Sequence, residues 1–352
     1  MDTTLASKFK SRWPENLRVI ASFAVVMIHV HAWDISKLSI SNKIGYLVID
    51  LLCYWSVPVF IMLSGGLLLR PDKLQNTEPP SLFFKKRWRR MIRPTLVWAI
   101  VALIWGIAVI KQSGEEIVRR IATGTPNDPQ WFLFMLLGLY LLTPWLRILL
   151  ANPHFDYNYL SGLVGLLYSF NFVSILQQSA GFTVEPIFPV NSLIYMDLYL
   201  LGIIVSNPDI WSRKTDIFIW AVCLITTILG LVVIILKPEL LTNCRFVLIN
   251  YHSPLIVLQA VSIYRMALRQ FPDSSSVIDT RFRAVISRVA DWSFGIYVIH
   301  PFVLTILFKF FLRPIDGPFL IYCLVIWAMT LVISCMVCAL LRFNTLTAWM
   351  IP

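Results

Sequence analysis

Arg18 and His29 stand eleven residues apart in the first apolar segment, which runs from Pro14-Glu15-Asn16-Leu17-Arg18 to Met27-Ile28-His29. On an α-helix that spacing is three turns plus roughly 20°, with a rise of about 16 Å. The two side chains therefore share a helix face without meeting. A neutral imidazole in a polar cleft can take a proton near neutral pH. A guanidinium at the mouth of such a cleft can bind an anion through paired hydrogen bonds. Glu15 lies one turn before Arg18, where it can orient the guanidinium, and Ser22 lies on the face of His29. Ionisable groups deep in a bilayer are costly, so they face a cavity or a partner. The plainer alternative makes Arg18 a positive-inside anchor and His29 a hydrogen-bonded packing residue.

Three further groups carry chemistry. Arg87 and Arg90, inside the basic run Lys85 to Arg93, fall at i, i+3. Two guanidiniums on one face can grip phosphates, although the same run also suits anionic lipid headgroups. Ser64-Gly65-Gly66 interrupts an apolar run; its glycines permit close helix approach, so packing is the competing role. Tyr297 and His300, again i, i+3, can line one cavity, and Pro301 removes a helix hydrogen bond beside them. Asp50 and Asp197 lie in or at the ends of apolar runs and must be paired, protonated or hydrated. Cys335-x-x-Cys338 has metal spacing but sits in a continuous apolar helix with no neighbouring His or Asp, so no metal site is expected.

These residues must be positioned by membrane helices. Of 352 residues, 58% are hydrophobic and only 14% charged, with a mean hydropathy of +0.73. A soluble domain carries about 25% charged residues. The apolar residues fall in runs of about 20, the length that crosses a bilayer. Ten spans are expected, at 17–37, 45–69, 94–110, 130–150, 158–176, 191–206, 216–236, 246–267, 291–312 and 318–341. The fifth and sixth are weakest, because polar residues interrupt one and the other is short. With both termini cytoplasmic, most of the 30 Lys and Arg residues fall on the cytoplasmic side, as the positive-inside rule requires. The same rule accounts for the net charge of +11 without nucleic acid. The expected fold is an all-α polytopic bundle over residues 1–352, with no separate soluble domain, so any chemistry is built from the spans and their ends.

The motifs, taken in order, resemble the membrane acyltransferase family 3, the integral-membrane O-acyltransferases of bacterial surface polysaccharides. Glu15-Asn16-Leu17-Arg18 with His29 is similar to the family's arginine–histidine signature. Val57-Pro58-Val59-Phe60-Ile61-Met62-Leu63-Ser64-Gly65 resembles its second-span motif, and Arg87-Trp88-Arg89-Arg90 with Pro94 its R-x-x-R element. Trp131-Phe132-Leu133 through Leu139-Tyr140-Leu141-Leu142-Thr143-Pro144 resembles the fourth-span motif. Ser293-Phe294-Gly295-Ile296-Tyr297 with His300-Pro301 resembles the late one. Two departures stand out: Pro129-Gln130 replaces the family's His-Leu, and Gly66 replaces an aromatic residue.

The resemblance implies an acyl-CoA donor, most simply acetyl-CoA, used as a substrate rather than held as a permanent cofactor. It implies a sugar hydroxyl of a lipid-linked or surface glycan as acceptor, and the bacterial inner membrane as location. His29 would be the general base and Arg18 would act with it. Arg87, Arg90, Glu15, Ser64, Tyr297 and His300 would contact substrates. A glycolipid or acylated-glycan transporter, using the same ionisable residues as a substrate path, is the alternative; the absence of a clear internal repeat weighs against it.

Overall fold

The computed structural model describes residues 13–30, 38–70, 74, 78–152, 154, 156–181, 190–238, 245, 247–270, 280–311 and 319–352. All regular structure among these residues is helical. In chain order the helices are α1 (Trp13–Val30), α2 (Ile40–Cys53), α3 (Ser56–Leu68), α4 (Pro80–Arg87), α5 (Arg93–Trp105), α6 (Gly114–Thr123), α7 (Trp131–Leu150), α8 (Tyr157–Ser179), α9 (Val190–Ile194), α10 (Met196–Ser206), α11 (Arg213–Leu236), α12 (Pro254–Gln270), α13 (Thr280–Ile306) and α14 (Phe319–Phe343). Wide π turns follow α4 (Trp88–Ile92), α5 (Gly106–Ile110) and α13 (Leu307–Phe311).

Local chemistry sets the helix starts. Ser39, Ser113 and Ser212 each accept a backbone N–H of the first turn at 3.1–3.4 Å, which satisfies one of the donors a helix start leaves open. Pro80 and Pro94 occupy first-turn positions, where a missing N–H costs nothing. Gly124, at φ 67°, closes α6.

Seven segments among the described residues are long and apolar enough to cross a membrane: Ile40–Leu68, Pro80–Ile110, Gly114–Leu150, Tyr157–Ser179, Arg213–Leu236, Ile286–Lys309 and Phe319–Phe343. They fall on seven of the ten expected spans. The other three expected spans are also helical. α1 carries Glu15, Arg18 and His29, α9 and α10 are short and broken at Tyr195, and α12 starts later than expected. That late start follows from a turn at Asn250–Ser253, after which Pro254 opens the helix. The end of the first expected span, 31–37, lies outside the described residues. The interrupted span at 158–176 is one continuous helix. Ser169, Ser174 and Ser179 donate to carbonyls four residues back, so their hydroxyls need no water.

α1 is central, packed against α2, α3, α12, α13 and α14. Beside it α3 and α10 touch backbone to backbone. A Cβ on Gly65 would strike the Tyr199 carbonyl, and one on Gly202 would strike Met62. Glycine is needed at both positions, as in close-packed membrane helices generally. The serine-glycine motif at 64–66 thus has a packing role. α11 and α14 lie largely outside the buried core, as lipid-facing helices do.

Buried charges are paired. Asp197 accepts from His252 Nε2 at 3.2 Å and from the Leu198 N–H. Asp50 lies 3.8 Å from Arg245. Arg265 makes two hydrogen bonds to Asp216, joined by Arg269.

Candidate active site

Helix α1 delivers Arg18 and His29 to two different cavities. The first, about 540 Å³, is lined by Arg18, Ser64, Arg90, Tyr140, Asp291, Tyr297 and Arg342 among others. Three arginines face it, and the Asp291 side chain lies 4.0 Å from Arg342. Such a lining favours an anion with several negative oxygens. The second cavity, about 200 Å³, is lined by His29, Trp105, Gln112, Arg120, Asn127, Asp128, Pro129, Pro301 and Phe302 among others.

The two cavities are separated by a thin partition. Tyr297, a wall of the first, donates its hydroxyl to the carbonyl of Pro129, a wall of the second. Phe132 packs on Tyr297 with ring centroids 5.6 Å apart. His300 is fully buried. It lies between Tyr297, which faces the first cavity, and Pro301, which faces the second. Its ring is 5.1 Å from that of His29 and 5.8 Å from that of Tyr297.

Backbone contacts fix the state of both imidazoles. His29 Nδ1 is 2.7 Å from the Val25 carbonyl, and His300 Nδ1 is 3.2 Å from the Ile296 carbonyl. A carbonyl can only accept, so in each neutral ring Nδ1 holds the proton and Nε2 carries the lone pair. His300 Nε2 is buried with no hydrogen-bond partner among the described residues. Each ring therefore presents a base, as proton abstraction requires.

The remaining expected residues divide. Ser64 lines the arginine cavity and donates to the Phe60 carbonyl at 2.9 Å. Arg90 lines that cavity, whereas Arg87 stacks over Phe83 at 5.0 Å and over Tyr140, a cavity wall, at 5.6 Å. The π turn at Trp88–Ile92 separates their roles, because it alters the helical register that i, i+3 spacing assumes. Glu15 sits in the first turn of α1 but does not line the cavity.

Sequence reasoning gave no role to Tyr140, Asp291 or Arg342, nor to Trp105, Gln112 and the Arg120–Asp128 pair at 2.9 Å. Tyr140 lies inside the fourth-span motif and Asp291 stands two residues before the late motif, so both were marked by position. Trp105 and Gln112 flank the Gly106–Ile110 π turn and carried no periodic signal. Near the arginine side, Glu78 is held by Lys86 and Arg147. Partial desolvation raises its affinity for a proton. The hydrogen bonds and charges of Lys86 and Arg147 outweigh that and hold the carboxyl below the usual carboxylate range.

The class is an all-helical, multi-pass membrane protein with two imidazoles 5.1 Å apart beside its cavities. A family model described as an acyltransferase domain, that of acyltransferase family 3, matches residues 11–338. The chain belongs to this family and is a multi-pass membrane acyltransferase. No curated protein and no solved structure matched it.

Proposed function

We propose that the protein transfers an acyl group, in the first instance acetyl, from acyl-CoA to a hydroxyl of a surface or lipid-linked polysaccharide sugar. Within the family we propose that it is similar in type to the enterobacterial common antigen O-acetyltransferase. The observation that carries this reading is the His29–His300 pair, with His29 lining the second, charge-balanced cavity and His300 beside Tyr297, a wall of the arginine-lined one. In a ten-span topology with both termini cytoplasmic, the arginine cavity opens to the cytoplasm of the bacterial inner membrane, where acyl-CoA is made. The second cavity then opens outward, toward the glycan.

The chemistry follows from the chain's own groups. Arg18, Arg90 and Arg342 bind the donor's phosphates, with Arg87 supporting the Tyr140 wall and Glu15 helping to orient Arg18. The thioester reaches the partition beside Tyr297 and Ser64. His29 Nε2 takes the proton of the sugar hydroxyl as its oxygen attacks the thioester carbonyl. The C–S bond breaks, the ester C–O bond forms, and the proton passes to the leaving thiolate. His300 Nε2 stands beside His29 to share that proton. Base catalysis of this kind is worth about 10²–10⁴-fold. No nucleophile-elbow serine occurs in the sequence, which favours direct transfer.

The test is thiol release from acetyl-CoA by purified protein supplied with glycan. Release that depends on His29 supports the enzyme. Glycolipid movement across vesicles without thiol release would support the transporter instead.

A further inference from the structure

We propose that the second cavity is a subsite for one neutral sugar ring of the acceptor, read by the indole N–H of Trp105 and the side-chain carbonyl of Gln112. This rests on the acyltransferase reading and adds to it the residues that recognise the acceptor and the charge class of the sugar.

Two unmatched polar atoms in one cavity carry the inference. Trp105 Nε1 is a donor and Gln112 Oε1 is an acceptor; both are buried, and neither has a hydrogen-bond partner among the described residues. Both side chains line the cavity that His29 lines. Native proteins rarely leave such groups unpaired, so each calls for an explanation. A sugar hydroxyl both donates and accepts, so neighbouring hydroxyls of one ring satisfy an N–H and a C=O together. An acyl chain satisfies neither.

The surroundings agree. Trp105 meets Phe302 edge to face at 5.5 Å, giving an aromatic wall of the kind that packs against C–H faces. Asn127, Asp128 and Thr305 add polar groups. The volume of about 200 Å³ exceeds more than tenfold what one water needs, about 10–15 Å³ on the same measure.

Charge selects the class of sugar. Arg120 is the cationic residue of the lining, and it is already held by Glu116 at 2.7 Å and by Asp128 at 2.9 Å. No free cation remains among the described lining residues to receive a carboxylate. The subsite is therefore complementary to a neutral hexose or N-acetylhexosamine and not to a hexuronic acid, the reverse of the arginine cavity.

The backbone is shaped to present these groups. The π turn Gly106–Ile110 follows Trp105 directly, and Lys111 takes a left-handed φ of 66°. The chain thereby folds Gln112 back over Gly106, where a Cβ would collide with its side-chain oxygen. Lys309, in the π turn that ends α13, donates to the Val109 carbonyl at 2.8 Å and ties the two π turns together. Single π turns often mark functional sites.

The experiment uses full-length protein in nanodiscs, titrated with methyl glycosides of neutral hexoses, N-acetylhexosamines and hexuronic acids. Binding is read by saturation-transfer NMR. We expect a neutral glycoside to bind and the uronates not to. Trp105→Phe, which keeps a ring against Phe302, and Gln112→Leu should each weaken that binding roughly five- to tenfold, the worth of one hydrogen bond. Unchanged affinity in both variants, preference for a uronate, or silence from every glycoside overturns the subsite. Thiol release by wild-type protein is scored separately. If it depends on His29 while no glycoside binds, only the subsite fails. If glycosides bind as expected but no thiol is released, only the acyltransferase reading fails.

Discussion

The rings of His29 and His300 lie 5.1 Å apart, one carried by the first helix and the other by α13. Each donates Nδ1–H to the carbonyl four residues earlier, so in each neutral ring Nε2 is the unprotonated nitrogen. His300→Gln removes one base while keeping a polar side chain of similar length. Its kcat should fall by at least tenfold, with the donor KM little changed, because His300 does not line the arginine cavity. An equal rise in donor KM with kcat intact would assign His300 to donor binding instead.

Arg18 tests the division between the two ends of α1. A guanidinium can form two parallel hydrogen bonds to phosphate and an ammonium cannot. Arg18→Lys should therefore raise the donor KM about tenfold or more, and Arg90→Ala should do the same. Full activity in Arg18→Lys would mean that charge alone suffices at that position.

The α3–α10 contact tests the scaffold. Gly65→Ala drives a methyl group into the Tyr199 backbone, and overpacking of this kind costs about 1–3 kcal/mol. Thermal unfolding in detergent should show a lower midpoint for Gly65→Ala. Gly162→Ala, inside a helix at a site with open space around it, should leave the midpoint unchanged or raise it. Equal midpoints for the two variants would remove the close-approach argument.

Glu78 supplies a pH test. Its folded-state affinity for protons is lowered by Lys86 and Arg147. The stability it contributes is therefore full above the unfolded carboxylate value of about 4.3 and is lost as pH falls through the lower folded value. Glu78→Gln should melt below wild type at neutral pH, and the difference should close on acidification. A gap that persists unchanged in acid would show that the charge is not responsible.

Much of this was legible in the sequence, because helices obey simple arithmetic. The eleven-residue interval between Arg18 and His29 already placed them too far apart to touch, and the structure sends them to separate cavities. Tyr297 and His300, at i, i+3, have ring centroids 5.8 Å apart, but they do not line one cavity: Tyr297 faces the arginine cavity and His300 is buried behind it. The approach of His300 to His29 was not legible, because it depends on how α1 packs against α13. The polar lining at Trp105 and Gln112 was hidden because a π turn and a left-handed lysine break the periodicity that carries the signal. Arg342 carried no signal of its own, since nothing local distinguishes a cavity arginine from an anchor. Arg87 and Arg90, equivalent by spacing, take different places because the turn between them is wider than an α-helix.

The most direct measurement of the central claim follows radiolabelled acetyl from acetyl-CoA to glycan in membranes carrying either wild-type protein or His29→Ala. Labelled glycan should form with wild type, and about 10²–10⁴-fold more slowly with the variant, at equal protein levels. Equal labelling by the two proteins would contradict it.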